Sequence, residues 1–284
     1  MIRPARAGDE PAIEAFLARH AETSMFLRSN LAQFGLFDED ASNATRFWLA
    51  GDGQIEAVFG LSNAGFVMTQ APQASAALWQ AFADQVTGRT LAGITGETAQ
   101  VAAAKRALGV MDAAYGMDEP QPLYRLALED LPPRNGPGVI RAPVEADRDL
   151  LMRWMRGYAA ELHMTSPARL DLEAQERTDR ALAGGDVRLL DLDGAPVAMT
   201  AINARLPDMV QIGGVYTPPE LRGRGLARAV VARHMAEEHA RGVAMAILFA
   251  SGPAACRAYE AIGFRRIGTY ALSLLKEPVV MGDE

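Results

Sequence analysis

At 284 residues the chain is long enough for two domains of ordinary size, and a 49% apolar fraction supplies real cores and argues against disorder. A formal net charge of -7 speaks against nonspecific binding to nucleic acid or anionic membranes and leaves room for a cationic partner such as an amine. A single cysteine rules out an internal disulfide framework. In chain order, Ile2-Arg3 starts a strand, and Gly8-Asp9 opens a helix with Ile13, Phe16 and Leu17 on one side. Glu22 to Arg28 mixes polar and apolar groups and fits either a surface helix or the wall of a cleft. Gln54 to Leu61 reads as a strand after the Asp52-Gly53 turn. Leu91 to Thr95 is a further strand, a helix runs on to Leu108-Gly109, and Tyr124 to Leu128 closes the first half.

The same order then repeats. Ile140-Arg141 restarts a strand, Asp147 is placed to cap a helix, and Leu150, Leu151, Trp154 and Met155 form its apolar face. Pro196 to Ala204 follows the Asp193-Gly194 turn. Ala244 to Ala250 is a strand, a helix ends at Ile262-Gly263, and Tyr270 to Leu274 closes the second half. Two copies of one unit are therefore expected, over 1–130 and 139–284, joined by a Pro/Gly-rich linker at 131–138. No apolar run is long enough to span a bilayer, and no secretory block follows Met1-Ile2-Arg3, so cytoplasmic residence is the expectation. The four histidines (His20, His163, His234, His239) show no ligand spacing, and no metal site is expected.

The halves differ most where one strand gives way to a helix. In the second, Val210 to Val215 reads as a strand that stops at Pro218-Pro219. The loop Arg222-Gly223-Arg224-Gly225-Leu226-Ala227 follows, and a helix begins near Leu226 with Val230, Val231 and Met235 on one side. Glycines let the backbone approach a ligand, the helix start carries about half a positive charge, and Arg222, Arg224 and Arg228 add charge-assisted donors. That chemistry suits a pyrophosphate. A Walker loop is excluded because no Lys-Ser/Thr follows the glycines. A dinucleotide fingerprint fails as well, because its third glycine position holds Arg228 and the next strand, Met245 to Ala250, brings no acid.

The remaining pattern, Arg222-x-x-Gly225-x-Ala227, resembles the pyrophosphate loop of the GNAT-type N-acetyltransferases. One strand later, Gly252-Pro253-Ala254-Ala255 with Tyr259 and Gly263-Phe264 resembles that family's Asn-Pro-Ala-Ala…Tyr…Gly-Phe segment, with Gly252 where asparagine is usual. The likeness covers about Val187 to Leu275. It implies an α/β protein of two GNAT-like domains, each a mixed, mostly antiparallel central sheet flanked by helices. The N-terminal copy would be degenerate, since Met68 to Ser75 brings neither glycine nor arginine and Ala99 to Leu108 brings no tyrosine.

The resemblance further implies acetyl-coenzyme A as co-substrate. It would be held by the loop from Arg222 through Gly223, Arg224, Gly225, Leu226 and Ala227 to Arg228, and by the strand exit Gly214-Val215-Tyr216. There a Gly213-Gly214 bulge would splay the strands and a backbone N–H would polarise the thioester. The acceptor would be a primary amine of a small molecule or peptide, not nucleic acid. Tyr259 falls on the position that protonates the departing thiolate. Glu161, with His163 close by, is the candidate to bind the ammonium or take its proton, and Asp208 and Gln211 border the central strand. A non-catalytic acyl-coenzyme A sensor or interaction module is the alternative, and a tRNA-using aminoacyl transferase fits the acidic charge poorly.

Overall fold

The computed structural model of the chain describes residues 1–36, 38–133 and 138–282. Contacts gather these into two compact units, one of Met1–Gln121 with the stretch from Thr269 onward, the other of Pro122–Gly268. This division differs from the expected 1–130 and 139–284. The strand expected to close the first half belongs to the second unit, and the one expected to close the second half belongs to the first. Part of the expected linker, residues 134–137, lies outside the described residues.

The first unit runs β1 (Ile2–Pro4), α1 (Glu10–Ala18), α2 (Met25–Phe34), β2 (Thr45–Ala50), β3 (Ala57–Ser62), β4 (Phe66–Gln70), α3 (Ala76–Val86), β5 (Thr90–Glu97), α4 (Thr98–Ala107) and β6 (Tyr115–Met117). Strands β1 to β4 form antiparallel pairs, whereas β4 and β5 are parallel, with Phe66 opposite Gly93. The chain's last strand, from Thr269, completes the sheet antiparallel to β5, with Tyr270 opposite Glu97. Side chains alternate across a pleated strand. Phe59 and Val67 accordingly face Trp79 and Phe82 of α3, and Val58 and Met68 face α1 and α2. Phe59 stacks on Phe82 at 4.6 Å and meets the Trp79 edge at 5.1 Å. Met25 and Leu27 are buried, so the Glu22–Arg28 stretch turns an apolar side inward.

In the second unit come β7 (Gln121–Ala127, from Pro122), β8 (Val139–Arg141), α5 (Arg148–Glu161), α6 (Leu170–Ala183), β9 (Val187–Leu192), β10 (Ala195–Arg205), β11 (Met209–Tyr216), α7 (Leu226–Ala240), β12 (Met245–Phe249), α8 (Pro253–Glu260) and the start of β13 (Arg265–Val280). Neighbouring strands run β7-β12-β11-β10-β9-β8, all antiparallel except β11 with β12. The β9–β10 hairpin turns on Asp193 and Gly194, both at positive φ (53° and 82°), as a tight two-residue turn requires. Val230, Val231 and Met235 of α7 are buried with Ile262 and Phe264 on one face of this sheet. Leu151, Trp154 and Met155 of α5 are buried on the other. Asp147 stands before α5 but caps no helical N–H. Its carboxylate accepts Val144 N–H and a bidentate Arg141 guanidinium at 2.6 and 2.9 Å, which holds it below the usual carboxylate range. Among the described residues no helix is long and apolar enough to cross a membrane.

Candidate active site

Strands β11 and β12 pair in parallel from Met209–Met245 to Ile212–Leu248, but β11 continues to Tyr216 without its partner. Opposite β10 the register shifts between Ala201–Gly213 and Met199–Tyr216, and Gly214 sits at φ 56°. This is the bulge read from Gly213-Gly214. A Cβ on Gly214 would lie 2.9 Å from that of Ala201, so glycine is required twice over, by conformation and by space. Beyond the bulge the strand ends open onto a cavity of about 510 Å³, lined by residues of α5, β11, the 217–228 loop and α8.

The loop forms the cavity's polar wall. Pro219–Leu221 makes one tight turn, and the chain then passes through Gly223 at φ 78° and Gly225 at φ 77° into α7. No side chain caps this helix, and among the described residues the N–H groups of Gly223 to Arg228 make no hydrogen bond. Such donors need partners, and at a helix start they favour an anion. The Arg228 guanidinium folds against Gly225, 2.8 Å from where a Cβ would stand. Arg224 is exposed and does not line the cavity. Arg222 donates to Thr217 O at 2.9 Å, lies over the Tyr216 ring, and gives one nitrogen to both Glu161 oxygens at 2.7 and 2.8 Å. Loop and α5 thus meet through a half-exposed ion pair.

Two phenols also line the cavity. Tyr259 is 8% exposed, its ring edge-on to Phe264 at 6.0 Å, and burial pushes its ionisation far above the ordinary value. Among the described residues its hydroxyl makes no hydrogen bond. Tyr158 of α5 also lines the cavity, and its oxygen accepts the Gly214 N–H at 3.3 Å. Burial raises its ionisation too, against a partial offset from that hydrogen bond. Gly157 makes the neighbouring packing possible, since a Cβ there would meet the Tyr216 hydroxyl at 2.6 Å. Behind α8, Tyr124 of β7 donates to Glu260 at 2.6 Å and keeps its proton to high pH, because its ionisation would face that carboxylate.

The structure therefore gathers Val215, Tyr216, Arg222, Gly223, Gly225, Leu226, Ala227, Arg228, Glu161 and Tyr259 around one cavity, with Gly214 just behind. His163 and Asp208 are exposed and line no part of it, and Gln211 is buried with its amide on Ile212 O at 2.6 Å. His234 is fully buried in α7, and among the described residues no group of His, Cys, Asp and Glu side chains is placed to hold a metal ion. Sequence reasoning missed Tyr158 and Arg257 as lining residues. A glycine inside an otherwise amphipathic helix, at Gly157, was the available signal for close packing at that turn. Arg257 lies on the exposed side of a short helix and gives no periodic signal.

A mixed sheet whose parallel central pair parts beside a glycine-rich helix start is the GNAT acetyltransferase fold, and a tandem GNAT protein is among the solved structures that share the fold of this chain. Residues 191–267 match the family model described as Acetyltransferase (GNAT) domain. Among solved structures, a Drosophila protein shares the fold with a TM-score of 0.60 and 14% identity, over 97% of this chain and 98% of that one. A GCN5-related N-acetyltransferase from Sphaerobacter thermophilus gives 0.59 and 17%, over 96% and 94%. A tandem GNAT protein from the clavulanic acid biosynthesis pathway gives 0.50 and 14%, over 100% and 99%. No curated protein matches the sequence.

Proposed function

We infer that the chain is an N-acetyltransferase that moves the acetyl group of acetyl-coenzyme A directly onto a primary amine. The single observation that carries this reading is the row of N–H groups from Gly223 to Arg228, unpaired among the described residues, at an uncapped helix start beside a cavity that Tyr259 also lines. Those donors, with Arg222 and Arg228, fit the donor's diphosphate, and the channel between β11 and α8 fits its extended arm. Arg224, exposed beside the loop, supplies long-range attraction for the same anion.

In the reaction the amine nitrogen bonds to the thioester carbon, and the carbonyl electron pair moves onto oxygen. When that pair returns, the carbon–sulfur bond breaks and Tyr259 gives its proton to the sulfur. The amine's surplus proton leaves through a base and restores the phenol. Glu161 is that base in this reading. Its oxygens are held by Arg222, so a diphosphate that draws Arg222 into the loop frees the carboxylate as the donor arrives. Donor would then bind before amine.

Titration calorimetry with acetyl-coenzyme A, followed by thioester consumption over a panel of small amines and peptides, tests the reading. Binding with transfer to at least one amine is expected. Binding without transfer to any would favour the sensor alternative, and absence of binding would remove the loop's assigned role.

A further inference from the structure

Tyr158 stands in the cavity for a reason the acid and base roles leave open. Its phenol oxygen accepts the Gly214 N–H at 3.3 Å, so one lone pair is committed to the bulge. A hydroxyl also carries a proton that seeks an acceptor. Among the described residues none receives it, although the residue lines the cavity and is sheltered enough for burial to raise its ionisation. Tyr259 lines the same cavity, and the nearby Tyr158 phenol adds to the burial that opposes its ionisation, so both hydroxyls keep their protons there. One leaving sulfur needs one proton. The second phenol is free to serve the other atom that gains charge, the carbonyl oxygen.

Resting on the acetyltransferase reading, we propose that Tyr158 is a catalytic residue whose hydroxyl donates a hydrogen bond to the thioester carbonyl oxygen while its own oxygen is polarised by the Gly214 N–H. The sequence of donors is then backbone N–H to phenol oxygen, phenol proton to carbonyl oxygen. Each bond strengthens the next, because accepting a hydrogen bond makes a hydroxyl a better donor. Nothing is oxidised and no proton changes owner in this contact; it stabilises the oxygen while the amine adds and the sulfur leaves. The bulge glycine has a definite part in this. Its φ of 56° aims the N–H away from the β10 ladder and toward α5.

The test needs no knowledge of the amine. Acetyl-coenzyme A carrying carbon-13 at the thioester carbonyl is bound to the full chain, and the carbonyl stretch is read by infrared difference spectroscopy. In the wild-type protein the band is expected to move to lower frequency than in the free compound. In Tyr158→Phe it should return close to the free position while calorimetric affinity changes by no more than about three-fold, as expected for loss of one contact strengthened in the transition state. In Tyr259→Phe the shifted band should persist. An unshifted wild-type band, or the same shifted band in Tyr158→Phe, overturns the proposal, because a phenol that merely caps the bulge does not touch the carbonyl. Should Tyr158→Phe bind poorly, difluorotyrosine placed at position 158 decides: a stronger donor must push the band further down, and an unmoved band overturns the proposal. If the wild-type protein does not bind acetyl-coenzyme A at all, the acetyltransferase reading itself has failed, and calorimetry shows this before any spectrum is taken. With an active amine in hand, Tyr158→Phe should lower kcat about 100-fold with little change in donor KM.

Discussion

The first unit holds β4 and β5, a parallel pair followed by helices α3 and α4. The second holds β11 and β12, followed by α7 and α8. The place that is open in the second is closed in the first. Ser75 caps α3 by accepting the Leu78 N–H, where Gly225 leaves α7 uncapped. The third residue of α4, Gln100, is buried and its Oε1 accepts Ala71 N–H at 2.6 Å, just past the end of β4. The third residue of α8 is Ala255, which lines the 510 Å³ cavity instead of filling it. The second unit thus leaves unsatisfied the backbone groups that the first unit satisfies with its own side chains, and on the proposed reading those free donors are what a ligand would use.

Closing the open slot should have the largest effect. Replacing Arg222 by Ala and Gly225 by Val together is expected to weaken acetyl-coenzyme A binding by about 1000-fold or more, because a charge-assisted contact is lost and a β-branched residue is forced to positive φ. Gly225 lies at φ 77°, with Arg228 Nη2 2.8 Å from a new Cβ. Calorimetry reads this directly, and affinity within ten-fold of wild type would detach the loop from the site. Tyr259→Phe removes only a proton donor from a wall otherwise kept in shape. Its kcat should fall by about 100-fold with affinity unchanged, and equal turnover would make Tyr259 a packing residue.

The corresponding helices also differ in what they bury. Helix α3 buries only Trp79, Phe82, Ala83 and Val86, whereas α7 buries His234 and Glu238 beside its apolar residues. Among the described residues His234 has no hydrogen-bond partner on either nitrogen, and it is pushed down to about 4, chiefly by burial and then by Arg188, against opposing pulls from Glu238 and Glu237. A lowered folded value means that the unfolded chain takes up the proton first. Stability from keeping His234 neutral is complete above about 6.5 and is lost as pH falls toward 4, about 3 kcal/mol in all. Glu237, held low by Arg188, and Glu238, whose burial is outweighed by Arg205 and Arg241, add a loss in the same direction only once pH falls below the ordinary glutamate value. Hydrogen exchange followed from pH 7 to pH 4 should therefore show peptides of α7, β9 and β10 opening before those of α3 and β3. His234→Leu should narrow the gap; simultaneous opening in wild type would refute it.

How far the sequence reveals this contrast follows from the range of the forces involved. The loop glycines, the Asp193-Gly194 turn, the Gly213-Gly214 bulge and the apolar face of α5 are local, set by backbone sterics and 3.6-residue periodicity, and each is where the pattern puts it. The repeat order is legible for the same reason. Strand partnership is not local. Tyr124–Leu128 and Tyr270–Leu274 look alike in sequence, and pairing with β12 or β5 depends on residues more than a hundred positions away. Strand β2 carries no alternating signal, being buried over Phe47 to Ala50. Glu161 is expected from the resemblance as the group that binds the ammonium or takes its proton, and its engagement with Arg222 is a contact across 61 positions that no spacing announces.

The smallest effects come from exchanging the two plugs. Ala255→Gln would place in α8 the side chain that closes the first unit, and donor affinity should fall about ten-fold as the amide competes for the strand's backbone donors. The converse, Gln100→Ala, opens space in the first unit and strands Ala71 N–H in a buried site, which should cost about 1–3 kcal/mol of stability by urea denaturation. It should not create a second donor site. Space is only one of the missing parts: Met68 to Ser75 still offers no positive-φ glycine, no guanidinium and no uncapped helix start, since Ser75 keeps the Leu78 N–H. Calorimetry on Gln100→Ala should thus return the wild-type stoichiometry. A second equivalent of acetyl-coenzyme A bound would mean that the cavity alone, without the loop's donors, recruits the ligand, and the contrast between the two units would reduce to one glutamine.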